Sequence, residues 1–220
     1  MRVPMGRAHV LSLLWLCAVP GTTWAADAVH PAVLAPGHTL DYSVSLDGQA
    51  YLALHRKGSS AWMLTAVALR AKQVDPDRVD ISSAVAGAGW FVRHPGLRAG
   101  SVRAAELSDS TQRSNAGRSA IGLLDVGDEI RLKLDGVEAR LVKAPSATEL
   151  HVGSRHTMLS GSGKDYPAYL EWAGDLDGDR RFDLIMSFTR DGHQETCLFL
   201  STAASEGALI GNVGCMMASG

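Results

Sequence analysis

From about Thr39 onward, apolar and polar residues alternate with a period of two along most of the chain, the pattern of strands that bury one face. The clearest run is Glu129-Ile130-Arg131-Leu132-Lys133-Leu134, then Asp135-Gly136, then Val137-Glu138-Ala139-Arg140-Leu141-Val142. Asp-Gly suits a two-residue type I′ turn, because both central positions need positive φ, so this run predicts a β-hairpin. The same device stands at Asp47-Gly48, between residues 42–46 and 50–54, and at Asp191-Gly192, between residues 184–190 and 195–200. Further strands are predicted over 62–69, 79–83, 90–94, 121–126, 149–152, 157–160 and 169–173.

Beyond the N-terminus no apolar stripe at helical spacing lasts three turns. The expected fold class is therefore all-β, with antiparallel sandwich or barrel-like sheets built from hairpins. A polar stretch over 96–117, rich in Ser, Arg and Gly, interrupts the alternation. It divides the chain into an N-terminal β region, 26–117, and a C-terminal β region, 118–220, or else connects parts of one compact domain. It exceeds ordinary loop lengths, so a strand is expected inside it over 102–107.

The first 25 residues read differently. Arg2 and Arg7 precede an apolar run over 10–19, broken by Pro20-Gly21 before Thr23-Trp24-Ala25-Ala26. That order is expected of a secretory signal peptide, cut after Ala25. The run is well short of the ~20 residues that span a bilayer, and no second long apolar run follows, so no transmembrane segment is expected in the mature chain. Arginine far outnumbers lysine, and Asn115 and Asn212 are the only asparagines, a bias that suits a GC-rich bacterial genome. The expected location is periplasmic or extracellular.

Export changes the reading of cysteine. Cys17 leaves with the signal, and the remaining pair, Cys197 and Cys215, is most simply one disulfide in an oxidising compartment. Charge excludes one class of partner: Lys+Arg of 21 against Asp+Glu of 23 gives a net charge of -2, without the basic excess that a phosphate backbone demands. Nucleic acid is thus not expected.

The most specific chemical signal is Gly174-Asp175-Leu176-Asp177-Gly178-Asp179-Arg180-Arg181-Phe182-Asp183-Leu184-Ile185. Carboxylates at relative positions 1, 3, 5 and 9 can converge if a tight loop curls alternate side chains inward. Asp175, Asp177, Asp179 and Asp183, with the Arg181 carbonyl and water, could make the six-to-eight-oxygen shell that Ca²⁺ accepts. No Cys or His intrudes, which disfavours zinc and copper. An EF-hand does not fit: Arg180 stands where the sharp turn wants glycine, and Met186 where a bidentate Glu belongs.

The stretch instead resembles the D-x-[DN]-G-D-G-x-x-D-L calcium loop of the FG-GAP and VCBS repeat class, in which the metal sits between two β-strands. Asp175, Asp177, Asp179 and Asp183 match its ligand positions, and Leu184-Ile185 the strand that follows. The likeness covers about a dozen residues, in one copy, so no propeller follows from it. Arg180 replaces the second glycine; if it is left-handed, the strain costs roughly 1–2 kcal/mol. More broadly, Trp172-Ala173-Gly174 leading into the loop, followed by Leu198-Phe199-Leu200-Ser201, is similar to the C-terminal part of uncharacterised exported bacterial proteins. That likeness implies no activity.

Other signals are weaker. His151 and His156 point to opposite faces if they share one strand. Gly161-Ser162-Gly163-Lys164 lacks the rest of a phosphate loop, and no G-x-S-x-G occurs. Trp62, Trp90 and Trp172 with Tyr51, Tyr166 and Tyr169 are expected to pack a core, or else to offer a platform for sugars.

The expectation is thus an exported bacterial β protein that binds an envelope glycan or protein, or supports structure, with one structural Ca²⁺ and no assigned catalytic residue. A metal-assisted secreted hydrolase would need a histidine or extra carboxylate in an open cleft beside the loop. A glycan-binding module would need two of those aromatics exposed on one face.

Overall fold

The computed structural model describes residues 31–37, 39, 40, 46, 49–58, 61–75, 78–107, 122–160, 167–190 and 193–218. The expected signal peptide over 1–25 lies outside them, as do residues 42–45, Tyr166, the glycine-rich stretch 161–164 and the Asp47-Gly48 and Asp191-Gly192 pairs. Among these residues eighteen strands are present: β1 (Val33–Leu34), β2 (Thr39–Leu40), β3 (Tyr51–Lys57), β4 (Ala61–Val67), β5 (Arg70–Asp75), β6 (Arg78–Ser82), β7 (Ala88–Val92), β8 (Gly100–Ala104), β9 (Glu106–Leu107), β10 (Gly122–Leu124), β11 (Glu129–Leu134), β12 (Val137–Ala144), β13 (Ala147–Val152), β14 (Arg155–Ser160), β15 (Ala168–Asp175), β16 (Asp183–Arg190), β17 (His193–Leu200) and β18 (Gly211–Ala218). Among the described residues the one helical turn is a 3-10 turn at Ser201–Ala203. No helix there is long and apolar enough to cross a membrane. The fold is all-β, as the period-two alternation requires.

A sheet of ten strands runs β1-β7-β3-β4-β8-β15-β16-β17-β18, with β10 also on β15, and every pairing is antiparallel. Its first strand returns to its last: β1 packs against β17 and β18, and a Cβ on Gly214 would lie 3.1 Å from that of Ala32. The sheet is therefore a nearly closed barrel. It joins strands from both sides of residue 117 through β8, which pairs with β4 and with β15.

Two smaller sheets cover the barrel. The five-stranded meander β14-β13-β12-β11-β9 lays Leu132, Leu141 and Leu150 on Leu170, Leu184, Met186 and Phe199. In β11 the alternation is realised residue by residue, with Ile130, Leu132 and Leu134 buried and Arg131 and Lys133 exposed. Its turn is the expected one: Asp135 and Gly136 have φ of 49° and 84°. The sheet β2-β6-β5 covers a second outer face through Ile81, Tyr51 and Phe91. Each such buried side chain contributes roughly 1.5–3 kcal/mol relative to exposure.

The barrel interior is layered. Leu54, Leu64, Val92, Trp172, Ile185 and Leu198 form an apolar belt, with Ile185 opposite Leu198. One step along the same face, Ser187 lies opposite Thr196, and these are buried hydroxyls. A β-bulge on β15 feeds this interior. Leu170 pairs with Met186 and Trp172 with Ile185, leaving Glu171 as the extra residue. Two successive side chains of a bulge share a face, so Leu170 stays in the outer core while Glu171 and Trp172 both turn inward.

Two expectations need correction, and one lies partly outside the described residues. Residues 51–54 form strand within β3, whose two edges are taken by β4 and β7, while the expected partner over 42–45 and the Asp47-Gly48 turn lie outside the described residues. A turn follows Lys57 into β4, and Gly58 there has φ of 70°. The stretch over 102–107 is not one strand: β8 ends at Ala104 and β9 belongs to another sheet, with the Ala105 N–H donating to the Ala173 carbonyl at 2.9 Å. His151 and His156 do not face apart, because the chain reverses at Gly153, φ 58°, and their rings stack at 5.3 Å.

Candidate metal centre

Strand β15 ends at Asp175 and β16 starts at Asp183, so the two outer aspartates stand on adjacent paired strands and the loop between them must close in seven residues. Positive φ at Gly178 (86°) and Arg180 (66°) curls it back on itself. Leu176 is buried inside the barrel and Phe182 in the outer core, which pins the loop from both sides. Gly174, just before it, admits no side chain, since a Cβ would lie 2.1 Å from the Arg103 carbonyl oxygen and 2.4 Å from the Trp172 ring.

Backbone amides converge on the carboxylates. Asp175 Oδ1 accepts the Gly178 N–H at 2.7 Å, and its Oδ2 the Arg180 N–H at 3.2 Å. Asp183 Oδ2 accepts the N–H groups of Leu176 (2.7 Å) and Asp177 (3.4 Å), and its Oδ1 that of Ser201 (2.8 Å). Carboxylate oxygens of Asp175, Asp177 and Asp183 all lie within 4.8 Å of one another. Asp179 stands outside that set: its Oδ2 accepts the Ser201 hydroxyl and the Arg181 Nε–H, each at 2.6 Å. Arg181, expected to offer its carbonyl, thus also places its guanidinium on Asp179.

Electrostatics divide these carboxylates. Asp183 is wholly buried, and burial pushes its pKa up to about 7 against the pull of the Ser201 N–H, with the Asp177 and Asp179 charges adding to the rise. Burial also acts upward on Asp179, but the Ser201 hydroxyl and the Arg181 N–H and guanidinium outweigh it and hold its pKa below the usual carboxylate value.

Two contributors were not legible in the loop itself. Arg103 of β8 donates to both Asp175 and Asp135, linking the loop to the β11–β12 turn. From the 3-10 turn, Ser201 serves Asp179 and Asp183, and the Thr202 hydroxyl donates to Asp177. The pair Ser201-Thr202 directly after a strand was a weak signal in the sequence, whereas nothing in it placed Arg103.

The donor set fits a hard divalent cation. All three clustered groups are carboxylates, and oxygens bound to one Ca²⁺ at about 2.3–2.6 Å lie no more than about 5 Å apart, as these do. A second acidic cluster, Glu195 with Cys197 and Cys215, offers no such set, because those sulfurs are joined in the expected disulfide between paired residues of β17 and β18. Beside the loop lies a cleft of 210 Å³ whose lining includes Arg98 and Arg103 but no histidine. Of the aromatics, Tyr51 and Trp172 are buried, Trp62 meets Trp172 edge to face at 6.3 Å beneath the Arg56 guanidinium, and Trp90 and Tyr169 are half-buried.

The chain matches no protein-family model, no curated protein and no solved structure. Its chemistry therefore rests on its own residues.

Proposed function

We propose that this chain is an exported bacterial β protein, a binding or structural module of the envelope, whose loop over 175–183 takes one structural Ca²⁺. The observation that carries the reading is the convergence of Asp175, Asp177 and Asp183 within 4.8 Å around a carboxylate with no exposure to water. Three carboxylates this close repel one another, and Asp183 relieves the repulsion only by holding a proton or by facing a cation. At neutral pH a bound divalent cation does this for all three at once.

The ion would be held by Asp175, Asp177 and Asp183, with Asp179 and the Arg181 carbonyl as the further donors that the loop resemblance implies. When bound it supplies charge neutralisation and cross-linking. The residues themselves tie the ends of β15, β16 and β17 together, since Asp183, first in β16, accepts the N–H of Leu176 just after β15 and that of Ser201 just after β17. The role proposed for the metal is therefore to hold one end of the barrel shut. The signal-like pattern of the first 25 residues and the disulfide between Cys197 and Cys215 support the envelope location.

Calorimetric titration of metal-stripped protein with CaCl₂ tests this. One site per chain is expected, with affinity in the about 10⁻⁴ to 10⁻³ M range of extracellular modules. Asp177→Ala should abolish it, and Mg²⁺ should bind far more weakly. Heat of binding that survives Asp177→Ala, or none in wild type, would overturn the proposal.

A further inference from the structure

The outer face of the meander carries a group of side chains that the acidic loop does not use. On β13 and β14, His151 stands opposite His156, and Glu149 opposite Met158. Residues two apart on a strand share a face, so these four form one block, about 5 Å across the strands and about 7 Å along them. That face is the outward one. Leu150, between Glu149 and His151, is buried in the core, and Thr157, between His156 and Met158, turns its hydroxyl to the Leu209 N–H at 2.8 Å. His156 and Met158 are exposed, Met158 at 60%, and β14 is the edge strand of its sheet, which leaves the block open from the side.

The donors in this block differ in kind from those of the loop. The two imidazole rings stack at 5.3 Å with 22° between their planes. His151 Nε2 lies 2.9 Å from Glu149 Oε2, and a carboxylate only accepts, so Nε2 carries the proton and Nδ1 keeps its lone pair. An outer carboxylate of this sort orients metal-binding histidines and fixes their tautomer. Among the described residues no hydrogen bond engages the His156 ring, which leaves it a lone pair as well. Arg140, opposite His151 on β12, donates instead to Glu129 at 3.3 Å.

We propose that this block binds one copper ion as Cu(I), through His151 Nδ1, a ring nitrogen of His156 and the Met158 thioether, with Glu149 as a positioning residue. Thioether sulfur selects Cu(I), and imidazole suits copper as well. Zinc accepts imidazole but is held in proteins by nitrogen, thiolate and carboxylate rather than thioether, and Ca²⁺ and Mg²⁺ want oxygen. Exposed side chains change rotamer in picoseconds to nanoseconds, so His156 and Met158 are free to turn onto an ion that His151 holds. The site shares no residue with the loop over 175–183, and the inference is independent of its calcium.

Anaerobic titration of the purified, untagged protein with its disulfide intact tests this. Cu(I), kept reduced with ascorbate, is competed against bicinchoninate, with Zn²⁺ as the control metal, and each run is repeated in millimolar Ca²⁺. One tight equivalent of Cu(I) per chain is expected, unaffected by Ca²⁺, with Zn²⁺ far weaker. Losing the outer partner of a metal-bound histidine costs about 10–100-fold in affinity, so Glu149→Ala should weaken Cu(I) by about tenfold or more. His156→Ala and Met158→Leu remove ligands and should each weaken it at least as far. Both ligand positions are exposed, so these variants stay folded, and an unchanged Tm separates a lost donor from a lost structure. No tight Cu(I), Zn²⁺ held as tightly as Cu(I), or wild-type affinity in any of the three folded variants overturns the inference. Failure of the calcium proposal is read separately, from the titration with CaCl₂.

Discussion

Asp183 Oδ1 accepts the backbone N–H of Ser201 at 2.8 Å, across 18 residues of sequence. The bond ties the first residue of β16 to the residue that follows β17, and it holds a carboxylate at a point that no water reaches. The energetics of the loop follow from that burial.

In EDTA, stability should fall as pH rises. The folded pKa of Asp183 is raised to about 7 from an ordinary 3.8, so between those values the folded state binds more protons than the unfolded state. Its contribution is complete below about pH 4 and is lost as pH climbs through about 7. Asp179, lowered instead, acts only in the acid range below its ordinary value. Urea unfolding between pH 4.5 and 8 in EDTA should show the decline, amounting to a few kcal/mol, and Asp183→Asn should flatten it.

Arg103 would compete with the proposed Ca²⁺ for Asp175. Its guanidinium lies on Asp175 and Asp135, and the hydrogen bond to Asp175, aided by both charges, holds its own pKa above the ordinary value. Arg103→Gln should lower the Tm in EDTA by a few degrees, since the loop loses its internal cation, and should tighten Ca²⁺ binding several-fold. Calorimetry and thermal unfolding of the one variant check both signs.

Arg180 adopts a φ of 66°, the left-handed conformation that costs a side-chain-bearing residue roughly 1–2 kcal/mol. Glycine removes that strain but loses about 0.5–1 kcal/mol more chain entropy on folding. Arg180→Gly should therefore stabilise by about 0.5–1 kcal/mol, a Tm rise of about 1–4 °C, and scanning calorimetry would detect it. The Arg180 N–H bond to Asp175 survives the change, because it is backbone.

Local signals carried the sequence reading far and non-local ones limited it. The period-two pattern placed β11 and β12 to within a residue or two, and Asp135-Gly136 forms the turn that its chemistry demands. Register between distant segments left no such trace. Residues 51–54 were recognisable as strand but not as a central strand, because which neighbours flank β3 depends on β4 and β7. Arg103 lies 72 residues before Asp175 and meets it only because β8 joins the edge of β15. The bulge at Glu171 was hidden because it breaks the alternation by one residue within an otherwise apolar strand.

The disulfide closes a separation of 18 residues between facing positions of β17 and β18. On the chain-entropy model a loop of that size contributes roughly 3 kcal/mol. The double variant Cys197→Ala, Cys215→Ala should lower the Tm by about 6–12 °C without changing the Ca²⁺ stoichiometry of the proposed site, since neither sulfur belongs to the cluster of Asp175, Asp177 and Asp183.

Thermal unfolding of the oxidised protein in excess EDTA and again in millimolar Ca²⁺, with Mg²⁺ as control, bears most directly on the central claim. At about 100 times its Kd, a ligand specific to the folded state adds about 2.7 kcal/mol, or a Tm rise of about 5–10 °C for a chain of this size. The account predicts that rise with Ca²⁺, little with Mg²⁺, and its loss in Asp177→Ala. An unchanged Tm in Ca²⁺ would contradict it and leave the aspartates neutralised by Arg103, Arg181 and a proton on Asp183.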